Sequence, residues 1–194
     1  MKINARSQLP YLRDNISEIA STCQPLWHPL GFVSCVIRRE EDEFTTRVHY
    51  WPRGNRRTKE PNWPIHNHAY ELSSHILAGC VRDIQYRLVR GNDYAIYSVS
   101  YAGENSTITL TNRRTSLEKL IDQFHLAGED YSVSVDTFHE TDVPMQEQAI
   151  SLVVQSNFRD TEPLVLGTGE GGQHSYDRIE FDRVAFWSQV RGTI

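Results

Sequence analysis

The stretch Asn62–Gly79, "NWPIHNHAYELSSHILAG", decides how this chain is read. It places His66, His68 and His75 within ten residues, with Glu71 the acid among them. A His-x-His pair in extended backbone turns both rings to one face, because side chains alternate with period two. Two imidazoles so placed can share one metal ion. A third ligand then has to come from another strand of the same barrel, and "YSVSVDTFHETD" (131–142) offers His139. Three neutral imidazoles leave coordination positions open, which catalysis needs. The competing reading is a set of half-buried histidines bonded to backbone.

The sequence around this stretch is extended. "GFVSCVIRR", "EFTTRVHYW", "WPIHNHAY", "LSSHILAG", "VRDIQYRLV", "YAIYSVSYA", "STITLTN", "YSVSV", "TFHET" and "QAISLVVQS" follow one another, several of them rich in β-branched and aromatic residues. Gly79, Gly91-Asn92-Asp93 and Gly103-Glu104-Asn105 are read as turns between them. This spacing predicts an antiparallel barrel or sandwich, with its core over residues 31–156. In "TSLEKLIDQFHLAG", Thr115 and Glu118 have capping-box spacing, so a turn of helix or an irregular strand is expected there. Leu9, Leu12, Ile16 and Ile19 recur at helical spacing and predict a packing helix over 7–20. Residues 157–179, with Pro163 and Gly167 to Gly172, read as a long loop. "FDRVAFWSQV" reads as a closing helix in the segment 157–194.

Composition bounds the function classes. The 194 residues suit a single domain, and the net charge of −5 argues against nucleic acid as a partner. The one basic cluster, "RGNRRTKE" (53–60), reads as a solvated loop. No apolar run reaches the roughly 18 to 20 residues of a membrane span, and the polar N-terminus lacks a signal-peptide core. Cys23, Cys35 and Cys80 form no CxxC pair. The expectation is a cytoplasmic protein with reduced thiols.

Two spacings resemble the cupin superfamily over roughly residues 31–156. Its first motif ends in HxH, three or four residues, Glu, six residues, Gly; here His66-x-His68, three residues, Leu72, six residues, Gly79 follow that count. Its second motif runs Gly, five residues, Pro-x-Gly, two residues, His; here Gly128, five residues, Ser134-x-Asp136, two residues, His139 do so. The opening Gly of the first motif falls on Glu60, and its Glu falls on Leu72. Glu71 is one residue early and faces away in a regular strand. The expected ligand set is therefore His66, His68 and His139. His75 is read as a packing residue or as one that supports the site from behind the ligands. His28, His49, His125 and His174 carry no such spacing and are read as structural or solvated.

A three-histidine cupin is similar to the thiol dioxygenases, typified by cysteine dioxygenase. "FTTRVHYW" resembles that family's strand ending in Trp, and "AISLVVQS" resembles its strand after the last ligand, with Ser151 retained. The family's relay His and Tyr fall on Val153 and Gln155, its crosslinking Cys on Ser73, and its carboxylate-binding Arg near Ser34. The residues expected to replace that machinery are Tyr70, Arg82, Tyr86 and Gln155. Arg47, His49 and Trp51 share one face of their strand, as do Arg82, Ile84 and Tyr86 of theirs.

The resemblance implies an all-β, single-domain cupin β-barrel (a double-stranded β-helix or jelly roll) with an N-terminal helix. It implies a mononuclear metal-dependent oxygenase that takes dioxygen and a small molecule other than free cysteine. Fe(II) is the expected metal, and imidazole ligands also suit Ni, Mn or Zn. It implies pairing through barrel edges as a homodimer. Two alternatives stay open: a non-oxygenase metal cupin (isomerase, lyase or hydrolase), and a non-catalytic small-molecule-binding cupin.

Overall fold

The computed structural model describes residues 3–54, 56–103, 105–169 and 171–194. Asn55, in the basic stretch, and Glu104, in the predicted turn after Gly103, lie outside the described residues. A helix, α1 (Leu9–Thr22), precedes the strands β1 (Leu26–Trp27), β2 (Val33–Glu40), β3 (Phe44–Trp51) and β4 (Glu71–Ala78). Two long strands follow, β5 (Cys80–Ala102) and β6 (Asn105–Leu126), then β7 (Asp130–Val133), β8 (Phe138–Asp142) and β9 (Ala149–Ser156). The chain ends with β10 (Leu164–Gly167), β11 (Gln173–Tyr176), β12 (Ile179–Glu180) and α2 (Arg183–Arg191).

The strands form two antiparallel sheets, in the orders β12-β1-β2-β3-β9-β4-β7 and β10-β5-β6-β11, with β8 paired to β5. Strands distant in sequence lie side by side: β3 beside β9, β9 beside β4, and β5 beside β8. This is a double-sheet jelly roll, the architecture the motif spacing implied.

Alternation in the first sheet decides what the barrel holds. Val48 and Tyr50 of β3, with Ile150 and Leu152 of β9, pack under the two helices against Leu12, Ile19, Phe186 and Trp187. Each such side chain, fully buried, contributes roughly 1.5–3 kcal/mol relative to exposure. The other face of the same strands carries Arg47 and His49 of β3 and Gln155 of β9, and these line a cavity inside the barrel. The helices therefore cover the apolar face, and the polar face is turned inward.

Several expected boundaries move. Gly91-Asn92-Asp93 does not reverse the chain. It sits within β5 as an irregularity, where the register steps from Val89↔Ser116 to Tyr94↔Thr115, and Arg114 steadies it by donating to the Asn92 carbonyl at 2.8 Å. No capping box forms. Thr115 donates across the ribbon to the Val89 carbonyl at 3.0 Å, and Glu118 accepts from Arg87 of the paired strand. The expected loop 157–179 contains β10 and β11, which extend the second sheet by pairing with β5 and β6. Gly167 is needed there because a Cβ would lie 2.6 Å from the Trp63 ring. The basic stretch folds back instead of being solvated throughout: Arg56 donates to the Pro144 and Glu147 carbonyls. Among the described residues, no helix is long and apolar enough to cross a membrane.

Candidate metal centre and its cavities

His66 and His68 do not lie on a regular strand. His66 makes isolated bridges to His139 and Val165, and its N–H and carbonyl exchange hydrogen bonds with His139 at 3.0 and 2.8 Å. The backbone is nonetheless extended enough to keep the period of two. Asn67 turns the other way, where its Oδ1 accepts from the Leu164 N–H at 2.6 Å. Asp136 has φ = 65° at the position of the second motif's Gly, a conformation aspartate tolerates. Its N–H donates to the His68 carbonyl at 3.3 Å, which ties the turn before His139 to the His-x-His segment.

The three rings converge. Centroid separations are 4.7, 4.8 and 4.9 Å, and one nitrogen from each of His66, His68 and His139 lies within 4.8 Å of the others. His66 Nδ1 donates to the Pro64 carbonyl at 2.7 Å, which leaves the lone pair on Nε2. That Nε2 stands 3.0 Å from His68 Nε2. His68 Nδ1 and both ring nitrogens of His139 are buried without a partner. Burial pushes the His66 pKa down to about 3, helped by His139 and opposed by the Pro64 contact; burial also holds His68 well below its ordinary value. Three converging imidazoles, with both His139 nitrogens unpartnered, fit a divalent cation, and His66, His68 and His139 are the residues that would hold it.

Glu71 is not part of this group, whereas Leu72 lines the cavities beside it. His75 lies buried elsewhere on β4 and bonds Asp130 at 2.7 Å. Behind His139 lies Asp83, itself buried, with Oδ1 3.9 Å from His139 Nδ1 and without a hydrogen bond. Its Oδ2 accepts from Gln85 Nε2 at 2.7 Å.

Two cavities share His66, His68, Leu72, His49 and Phe32 in their walls, of about 530 and 470 Å³. Tyr70 and Gln155 line the first. Tyr70 stacks on the His68 ring at 4.5 Å, and its hydroxyl accepts from Gln155 Nε2 at 2.8 Å. Gln155 Oε1 accepts from Arg47 Nε at 3.1 Å, and Arg47 Nη1 donates to Ser34 Oγ at 3.4 Å.

Arg82 and Tyr86 are placed differently. Asp83 and Gln85 pair with Thr141 and His139, while Arg82, Ile84 and Tyr86 pair with Asp142, Glu140 and Phe138, on the alternate face of the ladder. Arg82 reaches the wall of the second cavity, but its guanidinium is bound to Asp122 at 2.6 and 2.8 Å. Tyr86 lines neither cavity and donates to Glu140 at 2.5 Å.

Other residues stand at the site without having shown a motif. His28 and His49, which carry no metal-site spacing, line the first cavity. Burial pushes His49 down to about 3 and holds His28 well below its ordinary value. The shared face of Arg47 and His49 was the one signal for either residue; His28, Asp83 and Arg178, which also lines the first cavity, had none.

No family model matches this chain, and no curated protein matches it in sequence. Solved structures similar to it include an RmlC-like cupin from Shewanella frigidimarina (12% identity, 72% of this chain and 88% of that one, TM-score 0.42). The DMSP lyase DddQ from Ruegeria pomeroyi is similar at 15% identity over 79% of this chain and 66% of that one, with a TM-score of 0.42. The hydroxypropylphosphonic acid epoxidase from S. wedmorenis is similar at 10% identity over 71% and 56%, with a TM-score of 0.40.

Proposed function

We propose that this chain is a mononuclear metal-dependent oxygenase of the cupin type, with Fe(II) as its metal, acting on a small molecule other than free cysteine. The observation that carries this reading is a cluster of three converging histidines that no carboxylate joins among the described residues, beside a cavity of about 530 Å³. A bound Fe(II) would supply Lewis acidity and redox chemistry for activating dioxygen and substrate together.

The chain's own residues supply placement. Pro64 fixes the His66 tautomer, and Asp83 faces the Nδ1 edge of His139. Leu72 and Phe32 make apolar wall at the cluster and limit water there. Burial raises the Tyr70 pKa, so its hydroxyl remains a proton donor beside His68. The exclusion of cysteine rests on the relay positions. Val153 is buried among Leu72 and Val133, Gln155 is engaged by Arg47 and Tyr70, and Ser73 accepts from the Ala5 N–H.

Elemental analysis of the purified protein, followed by oxygen-electrode assays over a panel of thiols and non-thiol organic acids, tests the reading. The expected result is about one iron per chain and substrate-dependent oxygen uptake, both lost in His139→Ala. Rapid iron-dependent uptake with cysteine would overturn the substrate exclusion. Tightly held zinc, nickel or manganese with no uptake on any substrate would replace the oxygenase with another metal cupin. Absence of any retained metal would leave a binding module.

A further inference from the structure

The first cavity carries a charge imbalance that a metal alone does not account for. Among the described residues its wall holds Arg39, Arg47, Arg159 and Arg178 and no aspartate or glutamate. This occurs in a chain whose net charge is −5. Arg39 and Arg159 are exposed, while Arg47 and Arg178 are half-buried. Elsewhere guanidinium groups meet carboxylates: Arg82 with Asp122, Arg87 with Glu118, Arg38 with Glu40.

Arg47 does not. Among the described residues its hydrogen bonds go to Gln155 Oε1 and Ser34 Oγ, both neutral, and its Nη2 is unspent. Burial, foremost, holds its pKa below the ordinary value; among the described residues the groups acting on it are Tyr70, Arg178, Arg39 and Tyr101, none of them a carboxylate. A desolvated cation facing a second cation is costly unless an anion joins it. Gln155 leads from Arg47 to Tyr70. Because the Tyr70 oxygen accepts from Gln155, the hydroxyl proton is free to be donated elsewhere. Two unspent donors, Arg47 Nη2 and Tyr70 O–H, thus belong to one hydrogen-bonded chain that ends against the His68 ring.

We propose that this cavity binds a small organic carboxylate lacking any cationic group, held by Arg47 Nη2 and the Tyr70 hydroxyl, with Arg178 adding positive potential. An ammonium group would find no carboxylate among the described lining residues, so a plain acid is favoured over the matching amino acid. This substrate class rests on the oxygenase reading only for the reaction that follows; the binding step needs no metal.

Titration calorimetry with glutarate and glutamate, on the full chain both chelator-treated and iron-loaded under argon, separates the two ideas. Glutarate should bind both forms, about tenfold or more tighter than glutamate. Arg47→Met should weaken glutarate about tenfold or more, and Tyr70→Phe about threefold or more. Arg87→Met, at an exposed pair with Glu118, should bind as the wild type does. Glutarate should also raise the unfolding midpoint of the wild type and not that of Arg47→Met. If Arg47→Met fails to fold, Tyr70→Phe carries the test. Three results overturn the proposal: no glutarate binding by the wild type, unchanged affinity in the variants, or equal affinity for glutamate. Inorganic phosphate binding more tightly than glutarate overturns the carboxylate assignment. Glutarate binding without oxygen uptake on any substrate would leave this proposal standing and remove the oxygenase. Uptake without glutarate binding would do the reverse.

Discussion

The two cavities share His66 and His68, yet their charges are spent differently. The wall of the second includes Arg56, Arg82, Glu140 and Asp142. There Arg82 is occupied by Asp122, Arg56 by backbone carbonyls, and Glu140 by the Tyr86 hydroxyl. Among the described residues, the first has Arg47 bonded only to neutral groups and no carboxylate in its lining. The presence of an arginine on a wall therefore says little. What separates the two cavities is which guanidinium still has a donor to give.

The sharpest way to break this comparison lies behind the histidine cluster, at a residue that lines neither cavity. Asp83→Asn removes the buried carboxyl that faces His139 Nδ1 from outside the cluster. Metal affinity, measured by chelator competition, should fall by about 10- to 100-fold, while glutarate affinity of the metal-free protein stays unchanged. An unaltered metal affinity would show that the 3.9 Å approach is incidental.

A smaller effect is expected from pH. His49 lines both cavities, and its folded pKa of about 3 lies below the ordinary 6.5, through burial first and then Arg47 and Arg178. The unfolded chain therefore takes up the proton more readily. The stability this residue contributes is complete above about pH 6.5 and is lost as pH falls toward 3. Between pH 7 and 5 His49 should account for about 1–2 kcal/mol of the loss in urea unfolding, alongside the losses from His28, His66 and His68, and His49→Gln should remove that share of the slope. An equally steep profile in the variant would assign the dependence to other groups.

The smallest effect belongs to Arg82. Its pair with Asp122 is a surface contact, so Arg82→Met should move the unfolding midpoint by no more than about 2 °C. A larger shift would mean that the second cavity depends on this pair, and the contrast with Arg47 would weaken.

Much of the site was legible because it rests on local periodicity. His66 and His68 share a side, Leu72 rather than Glu71 takes the inward position, and His139 arrives at the counted distance. Gly79 was legible too: with φ = 76°, it lies where a Cβ would stand 2.1 Å from the Gln148 carbonyl oxygen. The strand partners of residues 157–179 were not legible. The glycines there suggested a loop, and the pairing of β10 and β11 depends on the length of the β5–β6 ribbon.

By itself, then, the sequence determined the alternation of its strands, the presence of two helices, and three histidines spaced for one cation. Alternation is a property of neighbouring residues, so it survives being read one strand at a time. It names two faces but does not say which is inside. Only the tertiary structure decided that Asp83 and Gln85 would accompany His139 while Arg82 and Tyr86 turned to the alternate face. Only packing brought His28 and Arg178 from distant segments to the cavity of Arg47. The physical reason is the cover: once α1 and α2 bury Val48, Tyr50, Ile150 and Leu152, Arg47, His49 and Gln155 on the opposite face are turned into the barrel.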